Sequence, residues 1–224
     1  MIPATSTPVT GNAAAHSEQL FANIADDLLA KGYSINPCAL PAGLADELLL
    51  QLHTMSQQQF APAGIGREQD QMLNRFVRKD EICWITGASA AGRRWLDWTG
   101  ELQAQLNRRL FLGLFSFESH FAHYREGAFY RRHLDAFKGE SNRVLSLVAY
   151  LNPGWLGDDG GELVIYPEKG ATGGIRVTPA FGTLVAFLSE DFEHEVLPAR
   201  RDRYSVAGWF RVNGSSARRA DPPL

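Results

Sequence analysis

The sequence predicts a mainly β fold with helices gathered towards its N-terminal end. The simplest such architecture is a jelly roll with the helices packed on one outer face. Three observations predict it. Helical spacing is confined to the first 110 residues. From there on, short β-rich runs follow each other closely. Gly, Pro, Asn and Asp punctuate those runs, as in an antiparallel sandwich or barrel.

The helices come first. From Ser17 to about Lys31, residues Leu20, Ile24, Leu28 and Leu29 recur on one face, with Ser17 as a candidate N-cap and Gly32 as a stop. Leu44 to about Met55 reads as a second helix, and 92–110 as a third in spite of Gly100. The expected strands are Phe76–Ile85, Phe115–Tyr124, Phe129–Asp135, Val144–Leu151, Glu162–Tyr166, Ile175–Thr178, Thr183–Leu188, Glu195–Ala199 and Tyr204–Val212. Periodicity alone does not separate a jelly roll from an immunoglobulin-like sandwich. Residues 1–16 and 213–224 read as loose tails around one domain over 17–212.

Composition narrows the classes of partner. The chain has 224 residues, 45% hydrophobic and 21% charged, an ordinary globular mixture. A net charge of -3 and a pI near 6.1 argue against a sequence-independent grip on nucleic acid. No run approaches the roughly 20 apolar residues that span a bilayer, so no membrane partner is expected. Residues 1–16 lack Lys and Arg and do not read as a secretory signal. Cys38 and Cys83 form no zinc spacing. Two thiols in a chain of this length fit a reducing compartment, and a cytoplasmic location is expected.

The chemistry is concentrated in three pieces. In His133-Leu134-Asp135, side chains i and i+2 of a strand would project from one face and reach one ion. Alone the pattern is weak, because six histidines make a chance H-x-D common. His194 follows an apolar strand and begins another. Two His and one carboxylate form the facial triad of non-heme iron(II) oxygenases, which leaves positions open on the metal. The bland alternative for His194 is a hydrogen-bonded core histidine. The third piece is Arg203, at the start of the run Arg-Tyr-Ser-Val-Ala-Gly-Trp. A guanidinium directed into a barrel is costly unless it meets an anion, and its fork matches a carboxylate. Tyr150 could add a hydroxyl to the same anion. A ligand with a carboxylate at one end and a chelating α-keto acid at the other, 2-oxoglutarate, would satisfy both Arg203 and iron. Otherwise Arg203 is a surface ion pair and Tyr150 core packing.

These pieces recur in a known order. His133-x-Asp135, Tyr150-Leu-Asn, Gly160-Gly-Glu-Leu, Ile165-Tyr-Pro, His194-Glu-Val and Arg203 to Trp209 resemble prolyl 4-hydroxylases of the oxygen-sensing, hypoxia-inducible-factor type over residues 75–211. The chain is most similar to their bacterial relatives, which act on elongation factor Tu; the collagen-modifying branch has Lys at the position of Arg203. The resemblance implies a distorted double-stranded β-helix, a jelly-roll variant. It also implies a 2-oxoglutarate-dependent dioxygenase using Fe(2+) and O2, supported by ascorbate. Prolyl C4 would be hydroxylated with release of succinate and carbon dioxide. Metal ligation falls to His133, Asp135 and His194, and cosubstrate binding to Arg203, Tyr150, Tyr124 and Trp209. Tyr124 stands one residue nearer to His133 than its counterpart in the animal enzymes. Arg78 and Asp80 resemble a loop–strand junction near the peptide entrance, and with Arg143 they are the substrate-side candidates.

The expected partner is a protein substrate, elongation factor Tu, acted on by a monomer. Gln57–Asn74 is long and polar and reads as a lid that closes over a peptide or as a plain connector. Two other functions remain open: an oxygenase of free proline or another small molecule, and a non-catalytic iron/2-oxoglutarate sensor. The intact triad and Arg203 speak against the sensor.

Overall fold

The computed structural model describes residues 10–55, 59–63, 78–136 and 142–214. Helix α1 (Thr10–Lys31) begins inside the segment expected to be a tail. Its buried face is Leu20, Phe21, Ile24, Ala25 and Leu28. Leu29, expected on that face, is 79% exposed, because one further 100° step carries it off the stripe. Gly32 ends the helix as expected. It takes φ +78°, its N–H donates to Leu28 O at 3.0 Å, and a Cβ there would lie 2.8 Å from Phe192.

Helix α2 spans Ala42–Thr54 and α3 spans Ala90–Leu110. The Ser89 hydroxyl caps α3, accepting from the Gly92 N–H at 2.9 Å; such a cap contributes about 1 kcal/mol. Ala91, Trp95, Trp98, Leu102 and Leu106 make the buried stripe of α3. Trp95 keeps its indole N–H satisfied by donating to Ser119 Oγ at 3.0 Å. Gly100 is tolerated at a position where an added Cβ would touch nothing within 4 Å.

The strands are β1 (Tyr33–Asn36), β2 (Ala61–Pro62), β3 (Glu81–Trp84), β4 (Leu114–Tyr124), β5 (Tyr130–His133), β6 (Arg143–Tyr150), β7 (Leu163–Tyr166), β8 (Ile175–Val177), β9 (Leu184–Leu188), β10 (Glu193–Val196) and β11 (Arg203–Val212). Every pairing is antiparallel. A seven-stranded sheet runs β1-β9-β6-β11-β4-β3-β2, and a four-stranded sheet runs β5-β10-β7-β8. From β4 onward the first strand pairs with the last and the second with the second-last, which is the winding of a double-stranded β-helix. That long-range pairing decides between jelly roll and immunoglobulin-like sandwich.

Strands β1 and β2 were not expected from the sequence. Each is short and sits at an edge of the larger sheet, so neither carries an alternating pattern. Strand β2 lies within the Gln57–Asn74 segment; residues 57–58 and 64–74 of that segment fall outside the described residues. So do 76–77 of the expected Phe76–Ile85 strand and 215–224 of the expected C-terminal tail.

Two cores follow from strand alternation. Leu145, Leu147, Ala149, Val206 and Phe210 project from the outer face of the larger sheet onto the helices. Ala122, Tyr124, Tyr150, Val185 and Phe187 project inward and meet Leu163, Ile165 and Val196 of the smaller sheet. The helices therefore act as a backing plate, and the space between the sheets is left for the site. No helix among the described residues is long and apolar enough to cross a membrane.

Candidate metal and cosubstrate site

His133 is the last residue of β5 and His194 the second of β10, and they are direct register partners. Asp135 lies two residues beyond His133, in a bend after the strand rather than on it. The sequence placed both on one strand face; instead the turn after β5 swings the carboxylate back. Asp135 Oδ1 lies 3.6 Å from His133 Nε2, and Oδ2 lies 3.7 Å from His194 Nε2. Ligand atoms of all three residues fall within 4.8 Å of one another.

Each imidazole is held from behind. His133 Nδ1 lies 2.7 Å from Arg131 O, and His194 Nδ1 lies 3.1 Å from Phe192 O. A carbonyl only accepts, so each Nδ1 is the donor. In the neutral ring that leaves the Nε2 lone pair bare and facing Asp135. Burial pushes His194 down to about 4 even with Asp135 beside it pulling the other way, so the ring is neutral at pH 7. Burial alone would raise Asp135. Charge on His194 and His133 when those rings are protonated, a His133 hydrogen bond and the Ser146 hydroxyl outweigh it and hold the carboxyl well below the usual carboxylate range. Two bare imidazole nitrogens and one carboxylate converging on one point fit a divalent cation of the iron class.

Along the inner face of the larger sheet, the register sets Arg203 beside Tyr124, Ser205 between Ala122 and Tyr150, and Trp209 between Glu118 and Ser146. Arg203 is only 2% exposed, which rules out a surface ion pair. Its Nε donates to Gly161 O at 2.8 Å, and Nη1 lies 3.5 Å from Ser205 Oγ. The guanidinium carbon lies 5.0 Å from the ring centres of both Tyr124 and Tyr150. No carboxylate lies within ion-pair distance of it among the described residues. The Tyr150 hydroxyl is buried without a hydrogen-bond partner there, as is Trp209 Nε1. Burial, partly offset by the Arg203 charge, pushes the Tyr150 phenol up to about 12, so it stays a donor. A buried guanidinium without an anion and an orphaned hydroxyl beside it fit a ligand carboxylate.

Residues 119–211 match the family model described as 2OG-Fe(II) oxygenase superfamily. A prolyl-4-hydroxylase from Pseudomonas putida is 40% identical, with a TM-score of 0.78, covering 87% of this chain and 100% of that one. A Trichoplax adhaerens prolyl hydroxylase, solved with a hypoxia-inducible-factor oxygen degradation domain peptide, is 25% identical with a TM-score of 0.76, covering 92% of this chain and 94% of that one. The chain belongs to the 2OG-Fe(II) oxygenase superfamily. Within it, the chain sits among the prolyl 4-hydroxylases. A hypoxia-inducible factor prolyl hydroxylase of Caenorhabditis elegans is 33% identical over 86 residues, which are 38% of this chain and 12% of that protein's length.

As a 2OG-Fe(II) oxygenase of the prolyl 4-hydroxylase type, the chain uses iron(II), 2-oxoglutarate and O2. Of the residues singled out in the sequence, the structure brings Arg203, Tyr150 and Tyr124 together at one end of the inner face. Trp209 is on the same face but three strand rows from Arg203, beside Ser146. The Arg143 guanidinium stacks on Trp209 at 3.7 Å and pairs with Glu118 at 2.7 Å. Asp80 is buried and holds Arg78 through two hydrogen bonds of 2.7 and 2.6 Å. Arg78 in turn lies 4.4 Å over Tyr130, whose ring stacks 3.5 Å from that of His133.

Four groups escaped the sequence reading. They are Ser146, Ser189, His120 and the Gly161 carbonyl. Ser146 Oγ donates to Asp135 Oδ2 at 2.6 Å and lies 2.9 Å from Ser189 Oγ. His120 is buried between Trp84 and Trp209, with ring centres 5.3 and 5.5 Å away. Gly161 lay within a quoted motif but carried no role. Nothing local marks a serine as the partner of a carboxylate eleven residues away.

Proposed function

We propose that this protein is a prolyl 4-hydroxylase of a protein substrate, with iron(II) held by His133, Asp135 and His194 and 2-oxoglutarate anchored on Arg203 and Tyr150. The observation that carries this reading is the placing, between the two sheets, of a three-ligand cluster on the smaller sheet and a buried guanidinium on the larger one that has no protein anion among the described residues. When bound, iron and 2-oxoglutarate supply the oxidation: O2 and 2-oxoglutarate are consumed, succinate and carbon dioxide leave, and a prolyl C–H becomes C–OH.

The chain's own residues do the positioning. Carbonyls of Arg131 and Phe192 fix the tautomers of His133 and His194. Arg203, steadied by Gly161 O, takes the distal carboxylate, and the Tyr150 hydroxyl donates to the same group. Tyr124 and Trp209 wall the cosubstrate space, while Phe187 and Ile165 keep water out. No general base is needed, and the described residues offer no nucleophile–base pair at the site. Arg78, Asp80 and Arg143 act on the substrate side. The Asp80–Arg78–Tyr130–His133 stack would hold the metal-side wall rigid against an incoming chain.

The target is elongation factor Tu. Support for this is the resemblance of the motif run to bacterial relatives of the oxygen sensors. A cytoplasmic monomer is the matching setting, in keeping with the free thiols of Cys38 and Cys83. Purified protein is incubated with iron(II), 2-oxoglutarate and ascorbate, and either elongation factor Tu or free proline. Peptide mass spectrometry should find one added oxygen on a proline of elongation factor Tu. Efficient hydroxylation of free proline with elongation factor Tu untouched would replace this reading with the small-molecule one.

A further inference from the structure

Ser146 sits on the inner face of β6, and Ser189 stands in the turn after β9, its N–H bonded to Val144 O at 3.0 Å. Both are buried, at 1% and 0% exposure. Asp135 as a carboxylate is acceptor-only, so the single O–H of Ser146 is spent on Oδ2 at 2.6 Å. Ser189, 2.9 Å from Ser146 Oγ, is then the donor of the second bond. Asp135 Oδ1 faces His133 Nε2 at 3.6 Å.

We propose that Ser189 and Ser146 form a two-hydroxyl relay that positions Asp135 for one-oxygen ligation of the metal, Ser146 gripping Oδ2 and Ser189 aligning Ser146. The inference rests on the iron-site reading above. The need for a relay follows from where Asp135 lies. The two histidines are fixed by the β5–β10 ladder and by carbonyls two residues upstream. Asp135 has left the strand, so no ladder holds it. A carboxylate on a bend can rotate and offer both oxygens, closing a position that cosubstrate or O2 requires. A hydroxyl on a central strand, itself held by a second strand's end, removes that freedom. Partners of this kind, hydrogen-bonded to metal ligands, change metal affinity by about 10–100-fold when removed.

The test uses the full-length protein and cobalt(II) as the probe, reading affinity by titration and coordination by the visible spectrum. Ser146→Ala should weaken cobalt binding about 10–100-fold and change the spectrum, and Ser189→Ala should do so by a smaller factor. The double variant should be no worse than Ser146→Ala, because the hydroxyls act in series. Ser146→Thr, which keeps the hydroxyl, should restore affinity and spectrum. In turnover, Ser146→Ala should make more succinate per hydroxylated proline than wild type. Wild-type affinity and spectrum in Ser146→Ala would overturn the relay. If Ser146→Ala does not fold, Ser189→Ala decides, and unchanged cobalt binding there overturns it. His133→Ala run alongside separates the two readings: if it too binds cobalt normally, the iron site itself is misplaced.

Discussion

His133 and His194 are register partners on neighbouring strands, with ring centres 4.3 Å apart. Because a ladder rather than a loop sets that distance, the pair is pre-formed for a metal. Removing either ring should cost binding much more than folding. His133→Ala and His194→Ala are expected to lose iron(II) binding and hydroxylation while keeping the far-ultraviolet circular dichroism and a thermal midpoint near that of metal-free wild type. Retained succinate production at limiting iron would show that the ligands are elsewhere.

Arg203 is expected to govern the cosubstrate. Truncating one partner of a buried charge pair costs about 2–5 kcal/mol. Arg203→Ala should therefore raise the KM for 2-oxoglutarate by well over tenfold while leaving metal affinity nearly unchanged. An unaltered KM would exclude it as the carboxylate anchor.

Gly161 is predicted to act through Arg203. It has φ +70°, and a Cβ there would lie 2.8 Å from Ala199 Cβ and 3.2 Å from Arg203 Cδ. Gly161→Ala thus combines left-handed strain of about 1–3 kcal/mol with a push on the guanidinium. A raised KM for 2-oxoglutarate with normal metal binding, alongside a lowered thermal midpoint, is the expected pair of results. A lowered midpoint with an unchanged KM would reduce the glycine to a folding role.

His120 should make stability depend on pH. Burial first, then the nearby Arg78 charge, pushes it from 6.5 down to about 4. Between those values the unfolded chain binds a proton that the folded chain does not, so stability rises with pH across the window and falls as pH drops through it. At roughly 1.4 kcal/mol per pH unit, the loss reaches about 2–3 kcal/mol by pH 4.5. His194 adds to it in the same direction. Urea unfolding of metal-free protein at pH 7 and pH 4.5 should show a smaller loss for His120→Gln than for wild type. Equal losses would mean that His120 is not buried neutral.

The sequence by itself determined the elements that carry their own pattern. The α3 stripe, the Gly32 stop and the long alternating strands β4, β6 and β11 follow from spacing that no partner needs to supply. It also determined the chemical alphabet of the site, since His133, Asp135, His194 and Arg203 are polar residues placed where strands should be apolar. What it could not determine depends on contact between distant segments. The edge strands β1 and β2 exist only because β9 and β3 offer them hydrogen-bonding partners. The position of Asp135 off its strand, the burial of Arg203 against Gly161 O, and the Ser189–Ser146–Asp135 chain all depend on how separate segments of the chain meet. Side-chain direction along one strand is a local property with a period of two, whereas which strands face each other is decided by the pairing of the whole sheet. The ligand set was therefore legible one residue at a time, and its geometry only after the two sheets had closed.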